Sequence, residues 1–139
     1  MIFILIVSFL LIAYFVLVAI VLAKRSRRKF SKKDLQYVNS NWYRILDSFE
    51  HNHKEAVLEA DKLLHYCLKK RGGCKFDGLS LGEMLKKSDG FFSNVDGVWF
   101  AHKLRNKVAH EMDGKISRDD AKMAISSYKK ALIDLGVKL

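Results

Sequence analysis

The chain has 139 residues, half of them hydrophobic, with 25 basic and 15 acidic side chains. That length holds one small domain with an appendage. Two cysteines in a chain of this size exclude a disulfide-stapled scaffold, and no proline interrupts the helical patterning.

From Ile2 to Ala23 no residue is charged. Twenty-two residues at 1.5 Å rise would make about 33 Å of helix, close to the ~30 Å hydrocarbon core of a bilayer. The run lacks a basic stretch before it and a small-residue cleavage site after it, which argues against a cleaved signal peptide. It is therefore expected to be a transmembrane anchor, at 1–23. A basic segment, 24–33, follows with Lys24, Arg25, Arg27, Arg28, Lys29, Lys32 and Lys33. By the positive-inside rule this end is expected in the cytoplasm and the N-terminus outside, a single pass through the cell membrane. Lys24, Arg25, Arg27, Arg28 and Lys29 are expected to contact anionic lipid. Once the seven basic residues of 24–33 are set aside, 18 basic face 15 acidic ones. The basic isoelectric point thus says little about nucleic acid.

Residues 34–139 read as helix throughout, with apolar positions recurring at helical spacing. Ser31 and Asp34 make a box-like start to a helix bearing Leu35, Val38, Trp42, Leu46 and Phe49. A second helix, about 54–70, buries Ala56, Val57, Ala60, Leu63, Leu64, Cys67 and Leu68, and stops at Gly72-Gly73. After a loop at 74–79, Ser80 and Glu83 cap a short third helix with Leu81, Met84 and Leu85 inward. A second loop, 88–97, carries Phe91-Phe92 as a plug for the core. The fourth helix has an apolar stripe at Phe100, Leu104, Val108 and Met112, and closes at Asp113-Gly114. Ser117 with Asp120 opens a fifth, with Ala121, Ala124, Ile125, Tyr128, Ala131, Leu132 and Leu135 toward the core. The fold class is all-α: an N-terminal transmembrane helix followed by a small bundle of four to five helices. Cys67 belongs to the core and Cys74 to a loop, and a cytoplasmic domain would keep both reduced.

The fourth helix also carries chemistry. Arg105, Asn106 and His110 are an arginine, an amide and an imidazole within two turns, and His102 extends the row through Asn106 at four-residue spacing. At 100° per residue, Asn106 and His110 lie about 40° apart, whereas Arg105 and His110 lie about 140° apart. A long guanidinium can curl round the helix edge, and a two-fold partner could bring a second copy of the row opposite the first. Arginine can grip phosphate oxygens and histidine can move a proton, with no metal needed. The plain alternative is a solvated helix in which Arg105 pairs with an acid such as Asp113. No metal site and no cofactor are expected. His51 and His53 lack further ligands at a convincing spacing, and Trp42 and Trp99 fit apolar faces better than base stacking.

The string Leu104-Arg105-Asn106-Lys107-Val108-Ala109-His110-Glu111 resembles the signature of the HEPN superfamily: an arginine, a polar residue, three more, then histidine. The helix with Ala56-Val57, Ala60 and Leu63-Leu64, and the segment Leu81-Gly82-Glu83-Met84-Leu85, are similar to those of HEPN relatives. The likeness covers about 34–135. It implies a HEPN-like helical bundle, usually a homodimer, of a kind that includes metal-independent endoribonucleases of toxin and RNA-processing systems. It further implies Arg105 and His110 as the catalytic pair, with Asn106 and His102 positioning the substrate. Met112 stands where some HEPN toxins carry tyrosine.

Two functions are therefore expected to compete. One is a membrane-anchored HEPN-like endoribonuclease acting on single-stranded RNA. The other is a non-catalytic interaction or nucleotide-binding module. An open row in a basic cleft favours the first; Arg105 held in an intramolecular ion pair with His110 out in solvent favours the second.

Overall fold

Among the described residues the chain forms α-helices and short 3₁₀ turns, with no strand. The computed structural model describes residues 1–25, 29–110 and 115–139, without side chains at 2–6, 20–25 and 89. Its helices are α1 (Ile2–Arg25), α2 (Lys32–His51), α3 (His53–Gly72), α4 (Leu81–Lys87), α5 (Val95–His110) and α6 (Arg118–Asp134).

No helix among the described residues is long and apolar enough to cross a membrane. The expected transmembrane anchor and the single-pass placement, with the N-terminus outside and the domain cytoplasmic, are corrected by this finding. Of the expected lipid-contacting cluster, Arg27 and Arg28 lie outside the described residues and Lys24 and Arg25 have no described side chain, while Lys29 is exposed.

Local chemistry sets the helix starts. Ser31 Oγ accepts from the Asp34 amide while the Asp34 carboxylate accepts from the Ser31 amide, a reciprocal box that opens α2. Ser80 and Glu83 make the same box for α4, and Ser117 accepts from the Asp120 amide at the start of α6. α3 follows α2 after Asn52, whose side chain accepts from the Glu55 amide. It stops where the chain turns at Gly73, φ 56°, a left-handed value that glycine adopts without a Cβ clash. Gly72 just before it meets the Phe76 ring so closely that a Cβ would lie 2.2 Å from it. The expected loop at 74–79 begins as a 3₁₀ turn, Gly73–Phe76, with Phe76 buried.

α3 is the central helix: it packs on α2 on one side and on α5 and α6 on the other, and α5 also packs on α6. The core joins Val38, Trp42 and Ile45 of α2 to Leu64 and Leu68 of α3 and to Tyr128 and Leu132 of α6. Burying each large aliphatic side chain stabilises the fold by about 1.5–3 kcal/mol. Every expected inward position of α6 is buried. Phe92 is buried and Phe91 packs against the core, as expected of a plug. On α2 the inward turn is Ile45, and Leu46 is 41% exposed. Three residues on from Trp42 remains closer to the α3-facing side than the four-residue step chosen from the pattern.

The fourth expected helix, α5, also shows a different phase. Its buried residues are Val98, Ala101 and His102. Phe100, Leu104 and Val108 only border the core, and Met112 and the Asp113-Gly114 stop lie outside the described residues. The helix is rotated so that Val98, Ala101 and His102, not the apolar stripe, face inward. The reason is the polar partners waiting inside.

Candidate functional site around Asp61

Asp61 lies on α3 among its apolar positions and is 4% exposed. A buried carboxylate is costly unless charge and hydrogen bonds compensate it. Three partners converge on it. His102 Nδ1 of α5 lies 2.8 Å from Asp61 Oδ1, and the Tyr128 hydroxyl of α6 donates to the same oxygen at 2.8 Å. Arg105 Nε lies 3.2 Å from Oδ2. Its N–H is not aligned for a hydrogen bond and, buried, has no hydrogen-bond partner, so charge rather than geometry holds the guanidinium there. Burial, and then the Asp61 charge, push the Tyr128 phenol well above its ordinary value, so the hydroxyl stays protonated and donates.

Asn106 closes the circuit. Arg105 Nη1 donates to Asn106 Oδ1 at 2.9 Å, and Asn106 Nδ2 lies 3.3 Å from His102 Nε2. Guanidinium can only donate, so the amide oxygen must face Arg105 and the amide nitrogen must face His102. His102 Nε2 is then an acceptor, and its proton sits on Nδ1, donated to Asp61. One donor-only and one acceptor-only residue thus assign every proton in the ring Asp61–His102–Asn106–Arg105. The indole of Trp99 meets the His102 ring edge-on, with centroids 6.1 Å apart.

His110 is not part of this cluster. It is exposed at the end of α5. Relative to Lys103 it is turned by only about 20°, and Lys107 by about 40°. Lys103, Lys107 and His110, all exposed, therefore form one outward row of two lysines and an imidazole. Arg105 faces the opposite way, between Ala101 and His102 on the inner side. Of the expected site residues, the structure brings together Arg105, Asn106 and His102 and leaves His110 apart. It adds Asp61 and Tyr128, which the spacing within one helix could not reveal. The available signal was a lone acid amid Val57, Ala60, Leu64 and Leu68, on the apolar stripe of α3: a charge there needs a buried partner.

Elsewhere, His53 Nε2 lies 3.3 Å from the Ile116 carbonyl oxygen while His51 is exposed. Among the described residues no group of three His, Cys, Asp or Glu side chains could hold a metal ion. A cleft of about 380 Å³ opens between α2 and α3 beside Tyr37, Arg44 and Tyr66, away from the Asp61 cluster. Compared with known proteins, the chain matches no family model, no curated protein and no solved structure.

Proposed function

We propose that the domain is a HEPN-like interaction or nucleotide-binding module that does not cleave RNA. The observation that carries this reading is the ion pair of Arg105 with Asp61, 3.2 Å apart within one chain, on the helix face turned away from His110. A guanidinium spent on a buried carboxylate is not free to brace a phosphodiester, and an imidazole on the far side of the helix cannot share that phosphate. The outward lysines Lys103 and Lys107 support contact with an anionic partner, since like charges on one helix face add their fields.

A second reading, the metal-independent endoribonuclease, has one observation in its favour: the Arg105 side chain keeps 28% of its surface exposed. In a homodimer, a second copy could set its own His110 beside it. One assay separates the two. The full chain is incubated with unstructured single-stranded RNA in EDTA. The module leaves the RNA intact. Products with cyclic phosphate ends that vanish in His110→Ala overturn the module and establish the nuclease.

A further inference from the structure

We propose that His102, Asn106 and Arg105 form a proton-operated latch, in which protonation of His102 turns the Asn106 amide over and releases Arg105 from its buried mooring. The latch is a property of the free chain and goes beyond the question of what the module binds.

The ring around Asp61 has one consistent set of protons, and it requires a neutral His102 with a bare Nε2. Asn106 Nδ2 points at that nitrogen from 3.3 Å. A proton taken from water onto Nε2 converts an acceptor into a donor, and two donors then face each other. Rotating the carboxamide by half a turn restores a hydrogen bond, with Oδ1 now accepting from Nε2–H. The same rotation puts Nδ2 where Oδ1 had accepted from Arg105 Nη1 at 2.9 Å. A guanidinium has no lone pair to offer, so Arg105 loses that bond outright.

The second tether weakens at the same moment. Asp61 would then face a full imidazolium at Oδ1, 2.8 Å away. Its charge is shared between two cations, and its pull on Arg105 falls. What remains for the guanidinium is the misaligned Nε contact, while part of the side chain already reaches solvent. Both consequences act in one direction: Arg105 swings out.

The groups facing His102 are few. Asp61 comes from α3 and favours the proton. Tyr128 comes from α6, donates to the same Asp61 oxygen and stays uncharged. Arg105, on α5 itself, opposes the proton, and its release removes that opposition. α4 brings Gly82, where a Cβ would lie 3.6 Å from Nε2. Protonation and release therefore favour each other, so one midpoint governs both.

Nitrogen-15 NMR of the full chain tests the latch. In neutral solution the His102 signals should show the Nδ1–H tautomer. As the pH is lowered, the Asn106 carboxamide and Arg105 Nε–H resonances should shift with the same midpoint as His102, and Arg105 Nε–H exchange with water should rise at least tenfold. In Asn106→Ala, His102 should still titrate while the Arg105 shift loses that midpoint. An Nε2–H tautomer overturns the latch. So do Asn106 and Arg105 signals that stay flat through the His102 titration, or a His102 that stays neutral down to acid unfolding. The wild-type titration decides the matter even where the variant fails to fold.

Discussion

Two aspartates in this domain are built from nearly the same parts and do different work. Asp34, at the start of α2, accepts from the Tyr66 hydroxyl at 2.7 Å and pairs with Lys70 at 3.0 Å. Asp61, in the middle of α3, accepts from the Tyr128 hydroxyl and pairs with Arg105 and His102. Asp34 sits at the helix end, shares its oxygens with the Ser31 cap and keeps 15% of its side chain exposed, so water reaches it more readily than it reaches Asp61. Asp61 is buried, so a lost partner is replaced by nothing. One carboxylate trims a helix end; the other fixes how three helices meet. A tyrosine, a cation and a carboxylate therefore do not define a role until burial is known.

The largest expected effect breaks the buried member. Asp61→Ala strands the His102, Tyr128 and Arg105 donors, and should lower stability by about 3–5 kcal/mol in denaturant unfolding. A loss no greater than that of a surface residue would remove the contrast. Tyr128→Phe deletes one donor and keeps the ring packed, so about 1–2 kcal/mol is expected by the same measurement.

The cluster at the start of α2 should respond less. Ser31→Ala removes the α2 cap and should cost about 1 kcal/mol. Hydrogen bonds from Tyr66, then Ser31 and Lys70, hold the Asp34 carboxyl well below the usual carboxylate range. The folded value lies below the unfolded one, about 3.9. The contribution of Asp34 is thus complete above about pH 4 and is lost as the pH falls further. Stability measured against pH should show a shallower acid limb in Asp34→Asn than in the wild type.

The smallest expected effect leaves stability untouched and reads burial itself. Burial, with a smaller push from Asp34, raises the Cys67 thiol to about 12, and thiolate is the reactive form. A thiol reagent on the native chain should label exposed Cys74 and spare Cys67 until the protein is unfolded. Equal labelling of both would place Cys67 outside the core.

What could be read from the sequence was what is local. The boxes at Ser31 and Ser80 are decided within four residues, and both form. The α6 stripe is regular over the whole helix, and all its inward residues are buried. What could not be read was set by partners distant along the chain. His102 and Asp61 are 41 positions apart, and Tyr128 and Asp61 are 67 apart. Those pairings decide the rotation of α5, which an apolar count alone placed on Phe100, Leu104 and Val108. Tyr128 was recognised as core by its ring, but nothing nearby in the chain announced what its hydroxyl bonds. The string around Arg105 lies on the helix that meets Asp61, while its helical phase divides the arginine from the histidine.

The most direct probe is a double-mutant cycle joining Asp61→Asn and Arg105→Gln, with unfolding free energy as the readout. A carboxylate that holds this guanidinium in solution gives a coupling of about 1 kcal/mol or more. Effects that simply add would mean Arg105 is unmoored and available to a substrate, which contradicts the non-catalytic role proposed for this helix.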